Sequence, residues 1–206
     1  MNSHILAGVL LVAGFLIFLT GAVRWRLVYQ EPMVEALNAI HTDRRRRAWI
    51  HTWMVAAMFV TPSGLALLVI VLDGSMGRAL AVVGTTVYLL GAGCFIVSLV
   101  FRLTVVPWAA EVTATDGTPP EAFEALDGWA GQLYVVHMAT AYAGFAIVGA
   151  AVLGTGFLPG WLGWVGVLAG VLSLAGFVAT RFTGPFNPPI LAHTYTALVG
   201  VMLLLG

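Results

Sequence analysis

The chain has 206 residues, of which 60% are hydrophobic and only 9% are charged, and its formal net charge is zero. Soluble domains carry about 25% charged residues. A mean hydropathy of +0.98 therefore excludes a soluble enzyme, a nucleic-acid-binding protein and a disordered segment. The composition predicts a small membrane protein whose partner is the lipid bilayer.

Residue types missing from the sequence exclude further classes. All nine basic residues are arginine, so no lysine is present to form a Schiff base with retinal or pyridoxal phosphate. The single cysteine, Cys94, excludes internal disulfides and cysteine-based zinc or iron–sulfur sites. The sequence also lacks the phosphate-loop motif and the H-E-x-x-H and G-x-S-x-G hydrolase motifs.

Six stretches without acidic or basic residues predict an all-α fold, a single transmembrane domain over residues 1–206. Each stretch has about 20 residues, enough to cross a hydrocarbon core of about 30 Å. The first is expected to be retained rather than cleaved as a signal peptide, because Arg24 and Arg26 follow it instead of preceding it. The stretches are 4–23, 48–72, 79–101, 128–154, 158–180 and 188–206.

The arginines predict the orientation of the spans. Eight of the nine fall at one side of the predicted membrane, and only Arg78 falls at the other. Positive charge accumulates on the cytoplasmic side, so both termini are expected outside, in a bacterial cytoplasmic (inner) membrane. Short outer loops near 73–78 and 154–160 predict that spans two and three, and spans four and five, form tight antiparallel pairs. An arginine at the end of each odd span and a histidine early in each even span make the chain look like three successive helical hairpins.

The connecting segments carry weaker signals, in chain order. The apolar spacing in Glu31–Thr42 predicts a short helix in the membrane interface, and Thr118–Glu121 reads as a capping box before a second short helix to about Leu126. Both segments are equally compatible with solvated connectors. Asn187 is predicted to cap the sixth span, with Pro188 at its first position.

The fifth span is rich in glycine, at 160, 163, 166 and 170. Small residues let helices approach closely in lipid, so this span is the expected contact for a homo-oligomer or for a larger membrane complex. Trp161 and Trp164 near its outer end are typical of a membrane–water interface.

Three histidines are the ionisable groups expected inside the membrane: His51, His137 and His193. Such residues are costly in lipid and mark candidate functional sites. Each lies early in an even-numbered span, about 5 Å (His51), 8 Å (His193) and 13 Å (His137) from the inner end at 1.5 Å per residue. We expect the three imidazoles to face a common interior near the inner leaflet.

Small residues follow two of these histidines on the same helix face. Gly144 lies two turns beyond His137, and Gly200 lies two turns beyond His193. Such residues leave a flat space, which predicts a haem b ligated by His137 and His193, with His51 as a reserve ligand. The alternatives are a zinc or copper ion on these histidines, and histidines that only hydrogen-bond across helices.

Other polar residues border the same region. Arg102 and Arg181 end spans three and five, where they could pair with haem propionates. Tyr134, Tyr195 and Asn187 are candidates to contact a lipid-soluble substrate near the inner leaflet. Tyrosine at such a depth is also a common interface anchor.

Two tracts resemble known sequences. Ala48-Trp49-Ile50-His51 and the later Phe59-Val60-Thr61-Pro62-Ser63 resemble the second helix of membrane-embedded haem b epoxide isomerases. That resemblance implies haem ligation at His51 in a four-span fold, and it departs at Ala57, where the family has a polar residue. Leu158–Trp164 resembles a tract of uncharacterised small membrane proteins from high-GC bacteria and implies no activity.

The sequence thus favours a membrane protein that binds haem b or a metal through intramembrane histidines. The expected uses are electron transfer to a redox partner, or oxidoreductase or isomerase chemistry on an apolar substrate. A passive channel or transporter for protons or a small solute is an alternative, weakened because no charged residue lies at mid-membrane. An accessory subunit of a larger complex is another.

Overall fold

The computed structural model describes residues 2–25, 31–72, 74–182 and 190–206, except for the side chains of Ser75 and Ala192. These residues form seven α-helices and no strand. The helices are α1 (Ser3–Ala22), α2 (Met33–Thr42), α3 (Arg44–Val71), α4 (Ser75–Asp116), α5 (Phe123–Thr155), α6 (Gly160–Ala179) and α7 (Ile190–Leu205).

Five of these helices, α1, α3, α4, α5 and α6, are long and apolar enough to cross a membrane. The chain therefore has the make-up of a helical multi-pass membrane protein. The sixth predicted span corresponds to α7, which has 16 residues within the described part of the chain. Asn187 and Pro188, its predicted cap, lie outside the described residues.

The six apolar helices pack side by side in a ring. Around it, α1 contacts α3, α3 contacts α4, α4 contacts α5 and α5 contacts α6, while α7 closes the ring against α1. The helices that carry the three histidines (α3, α5 and α7) alternate with the others. The end of the ring near Arg24, Arg44–Arg47 and Arg102 is called the arginine end below, and the opposite end is called the far end.

The third predicted hairpin differs from the other two. Helices α1 and α3 form a close antiparallel pair, as do α4 and α5, whereas α6 and α7 barely touch. Helix α6 packs on α5 and α7 packs on α1 instead. Glycines make both contacts: a Cβ on Gly170 would lie 2.6 Å from the Tyr142 carbonyl oxygen, and one on Gly200 would lie 2.9 Å from that of Gly8.

A row of small residues, one every seven positions, forms the seam between α4 and α5. A Cβ on Gly84 would lie 2.9 Å from the Gly144 carbonyl oxygen, and one on Gly91 would lie 3.3 Å from the His137 Cα. One further heptad along, the Ser98 hydroxyl donates to the Ala130 carbonyl over 2.8 Å. The two backbones therefore approach closely along the whole seam, as small-residue packing in membranes requires.

Helix α4 is much longer than the span predicted from 79 to 101. It continues through Arg102 to Asp116 and ends at Gly117, whose φ of 77° is the left-handed conformation that glycine adopts most readily. The extension packs with α2 and the start of α5 into a second small core beyond the arginine end, called the end lobe. Its buried residues are Leu37, Ile40, Phe101, Val106, Ala109, Ala110, Phe123 and Ala130.

Two predictions for the connecting segments had different outcomes. The short helix in Glu31–Thr42 is confirmed as α2, with its apolar side buried in the end lobe. The prediction of a capping box at Thr118–Glu121 is wrong. Helix α5 begins at Phe123 without a side-chain cap and runs unbroken into the fourth span, because the Phe123 ring anchors its first turn against Phe101, 6.2 Å away.

Candidate functional site

The three predicted histidines all point into protein rather than lipid. His137 and His193 have no exposed surface and His51 is 2% exposed. Helical spacing explains this, because each histidine lies on the buried face of its helix with other buried residues one or two turns away.

His137 and His193 influence each other electrostatically, whereas the charged neighbours of His51 are arginines at the arginine end. The imidazoles of His137 and His193 are within electrostatic range of each other, so α5 and α7 present them to one region of the bundle. His51 instead has Arg47 and Arg102 within that range. The three imidazoles were expected to share one chamber. They instead form a pair, His137 and His193, and a separate single residue, His51.

A phenylalanine ring covers one face of each paired imidazole. Phe95 of α4 stacks on His137 with ring centroids 4.5 Å apart and planes inclined by 10°. Phe18 of α1 stacks on His193 at 4.2 Å and 28°. Stacking fixes the plane of each imidazole and leaves its nitrogen-bearing edge, rather than its face, available to a ligand.

The ring nitrogens of the pair are the main chemical feature of the site. All four are buried, and none makes a hydrogen bond of good geometry among the described residues, although the Gly91 backbone lies close enough to His137 to interact with it. Buried polar atoms are nearly always paired, and an unpaired one costs several kcal/mol in a medium without water. Two adjacent imidazoles in this state are ready to accept a metal, a cofactor or ordered water.

The small residues beyond these histidines do not leave the flat space that the sequence suggested. The backbone of Gly84 in α4 packs directly against Gly144, and that of Gly8 in α1 packs against Gly200. These glycines bring helices together, which is the other use of small residues in membranes. Helices α5 and α7, which carry the pair, touch only lightly.

The remaining predicted site residues lie at different places. Tyr134 is half-buried, with its ring 5.4 Å from that of Phe95, so it borders the His137 side of the site. Tyr195 is buried, and a Cβ on Gly166 would meet its hydroxyl at 2.3 Å. Arg181 is exposed directly after α6, and Asn187 lies outside the described residues.

Arg102, the other predicted propionate partner, is already engaged. Its guanidinium forms an ion pair with Asp127 at the start of α5, and both side chains are largely sheltered from solvent. Because α4 continues past Arg102, this residue lies within a helix rather than at its end, and its ion pair joins α4 to α5.

Sequence reasoning missed three hydroxyl groups in the centre of the bundle. Thr61, Thr85 and Tyr88 are buried, and their oxygens have no hydrogen-bond partner within the part of the chain that the structure describes. The Tyr88 ring meets that of His137 edge-on at 6.1 Å. An uncharged hydroxyl barely lowers the hydropathy of a span, so only the place of these residues on the buried faces of α3 and α4 could have indicated them.

A cavity of about 540 Å³ opens at the far end, in the wedge where α7 diverges from α6. Its walls are mainly apolar and come from α5, the turn before α6 and the last turns of α7. Val152 and Met202 in its lining lie one heptad from Phe145 and Tyr195, whose rings are 5.6 Å apart. The cavity thus lies beyond Phe145 and Tyr195 on the same helices that carry His137 and His193.

Comparison with known protein families matches residues 6–206 to the family described as a domain of unknown function, DUF4386. The match covers almost the whole chain, so the chain belongs to this family. No curated protein and no solved structure matches it.

Proposed function

We propose that this DUF4386 protein binds haem b inside the membrane through His137 and His193 and serves electron transfer. The observation that carries the proposal is a pair of buried imidazoles: the nitrogens of His193 lack partners among the described residues, and those of His137 have at most the Gly91 backbone. Neutral imidazoles are the usual axial ligands of haem iron, and two of them favour electron transfer over substrate binding at the iron.

The donor set fits the proposed group. The two rings are close enough to interact electrostatically, they come from different helices, and each is held in plane by a phenylalanine. Among the described residues, no three histidine, cysteine, aspartate or glutamate side chains come together, so the histidine pair is the metal-binding chemistry on offer there. Phe18 and Phe95 would also keep water from the pair.

When bound, haem would supply one-electron chemistry at iron, tuned by its axial ligands and by the low polarity around it. The protein would orient the two imidazoles and exclude water. Arg181, exposed directly after α6, would be the arginine left to neutralise a propionate, because Arg102 is paired with Asp127. His51 would not be needed for ligation, because it lies with Arg47 and Arg102 instead of with the pair.

The proposal includes a topology of six spans with both termini outside, in the bacterial cytoplasmic membrane. It is supported by the close packing of α7 along α1, which makes α7 part of the same bundle. It is also supported by the arginines, eight of which precede or follow spans at one end. The end lobe would then lie on the cytoplasmic side.

A second use of the site is chemistry on a lipophilic substrate. The apolar cavity at the far end favours it, because its lining, from the end of α5, the turn before α6 and the end of α7, suits a lipophilic molecule. Tyr195 carries a buried hydroxyl without a described partner, part-way from the cavity to His193. Tyr134 and Asn187 are the other predicted substrate contacts.

The deciding experiment is an absorption spectrum and metal analysis of protein purified from haem-replete cells. We expect about one haem per chain and a Soret band that shifts on reduction with dithionite. A preparation that stays colourless, and that also fails to take up added haemin, would refute the haem proposal. Zinc or copper at one equivalent in that preparation would assign the pair to a metal ion instead.

A further inference from the structure

Three residues of α4 surround the imidazole of His137. The Tyr88 ring meets the imidazole edge-on with centroids 6.1 Å apart, and the Phe95 ring stacks on its face at 4.5 Å. Gly91 comes between them in the chain, and a Cβ added to it would lie 3.3 Å from the His137 Cα. Because positions 88, 91 and 95 recur at helical spacing, a single face of α4 makes all three contacts.

The lack of a side chain at Gly91 lets the backbone of α4 come this close to α5. A Cβ on Gly91 would overlap the Thr140 hydroxyl oxygen and would lie 3.0 Å from the Thr140 Cβ. The Thr140 hydroxyl donates within its own helix, to the carbonyls of Val136 at 2.8 Å and His137 at 3.0 Å. Its proton is therefore used in α5, and it does not compete for the backbone of Gly91.

The backbone of Gly91 interacts with the His137 imidazole as a hydrogen-bond acceptor, so the group that faces the ring is its carbonyl. A carbonyl oxygen has two lone pairs, and it can accept from the helix and from a ring N–H at once. The contact falls short of a well-aligned hydrogen bond, as contacts in ligand sites often do until the ligand is bound. No side chain of the described residues offers either nitrogen a hydrogen bond.

We propose that Gly91 is a positioning residue whose carbonyl selects the tautomer of His137. A neutral imidazole carries a proton on one nitrogen and a lone pair on the other. An acceptor beside one nitrogen holds the proton there, and the lone pair is left on the nitrogen that diverges from the carbonyl. Histidines that ligate metals almost always donate their other N–H to a carboxylate, a backbone carbonyl or water. Gly91 supplies that acceptor from α4.

This role deepens the haem proposal, on which it rests only for the identity of the ligand, because the tautomer can be measured without haem. His193 has no counterpart of Gly91 within the described chain. Phe18 covers one face of its ring, and its nitrogens have no hydrogen-bond partner there. The two candidate ligands therefore differ: the protein fixes both the plane and the tautomer of His137, and only the plane of His193.

The test is nitrogen NMR of the full-length protein in detergent without haem, labelled with ¹⁵N in its histidine rings. A pH of about 8 keeps ordinary imidazoles neutral, and comparison with His137→Gln assigns the His137 signals. We expect one protonated and one unprotonated nitrogen, with one tautomer in excess by up to about tenfold, the ratio that a single hydrogen bond supports. Comparable populations of the two tautomers in the unmodified protein would overturn the proposal, whether or not the protein binds haem.

Matched glycine variants separate this role from helix packing. Gly91→Ala displaces the carbonyl from His137 and should lower the tautomer ratio several-fold. Gly84→Ala disturbs the same seam one heptad away, with its Cβ 2.9 Å from the Gly144 carbonyl oxygen, and Gly93→Ala meets nothing within 4 Å. Both should leave the ratio within about twofold. An equal change in Gly84→Ala and Gly91→Ala, or no change in Gly91→Ala, would contradict the proposal.

The unmodified protein decides if Gly91→Ala does not fold. With ¹³C in the glycine carbonyls, the ring N–H proton of His137 should show a through-space coupling to a glycine carbonyl carbon. Gly91 is the glycine whose backbone interacts with this imidazole, so the coupling identifies the acceptor. Absence of the coupling would show that the ring proton lies elsewhere and would overturn the assignment.

Discussion

The imidazole of His193 and the phenyl ring of Phe18 are stacked, with centroids 4.2 Å apart, so the histidine of α7 is held by the first helix of the chain. His137 is held by Phe95 of α4 in the same way. Each candidate ligand is thus oriented by a helix other than its own, and the geometry of the pair depends on how the whole ring closes.

Replacement of Phe18 by alanine should destabilise the bundle and release His193. Removing a fully buried phenyl ring costs about 3–5 kcal/mol in soluble cores, and we expect a loss of that order here. Unfolding in detergent, followed by circular dichroism, measures it. Phe59→Ala is the control, because Phe59 is 61% exposed on α3 and should change stability by less than about 1 kcal/mol. Similar losses in both variants would contradict a special role for the stacked pair.

The three histidines should respond differently to substitution if the haem proposal holds. His137→Ala and His193→Ala should each abolish the Soret band, since each removes an axial nitrogen. His51→Ala should keep the band, because His51 lies with Arg47 and Arg102. His41→Ala, in the end lobe, serves as the control. A band lost only in His51→Ala would favour ligation as in the epoxide isomerases that α3 resembles.

The glycine seam between α4 and α5 should be sensitive at contact positions and tolerant elsewhere. In Gly144→Ala the new methyl group would lie 2.9 Å from the Gly84 carbonyl oxygen, so we expect a loss of about 1–3 kcal/mol. Gly93→Ala, also in a membrane helix, meets nothing within 4 Å and should be neutral or slightly stabilising. The free energy of unfolding in mixed micelles distinguishes them, and equal effects would argue that the seam is not closely packed.

The ion pair between Arg102 and Asp127 should couple α4 to α5. Asp127→Asn leaves a sheltered guanidinium without its counter-charge, and we expect a loss of about 1–3 kcal/mol because both groups are partly exposed. Glu124→Gln, at an exposed position one turn earlier, is the matched control. In a double-mutant cycle, the combined loss in R102Q/D127N should be smaller than the sum of the single losses. Strict additivity would show that the two residues are independent.

Hydropathy predicted the helical bundle, because long apolar stretches have few other uses and their length matches a bilayer. It predicted the end of α4 incorrectly. Arg102, Glu111 and Asp116 end the apolar run, but a helix outside lipid tolerates charge, and the contacts of α2 and Phe123 stabilise fifteen more residues of it. Hydropathy locates where a helix leaves the apolar phase, and it contains no information on where the helix ends.

The burial of the histidines was predictable from their place on the inner faces of their helices. Their partners were not, since Phe18 and His193 are far apart in the chain and any of several aromatic residues could have met either ring. The glycines beyond them were misinterpreted for a related reason. In the sequence, a glycine that makes room for a cofactor cannot be distinguished from one that contacts another helix backbone. The contacts of Gly144 with α4 and of Gly200 with α1 show that both have the second role.

The equal spacing of glycines along α4 does not by itself fix the alignment of α4 with α5. Gly77, Gly84 and Gly91 recur every seven residues, so sliding α4 along α5 by seven residues would again bring a glycine to the seam. The polar contacts at one end are not interchangeable: the Ser98 hydroxyl has its acceptor at Ala130, and Arg102 has its carboxylate at Asp127. These two bonds specify the correct alignment, as single polar residues do in coiled coils, and the glycines only tighten it.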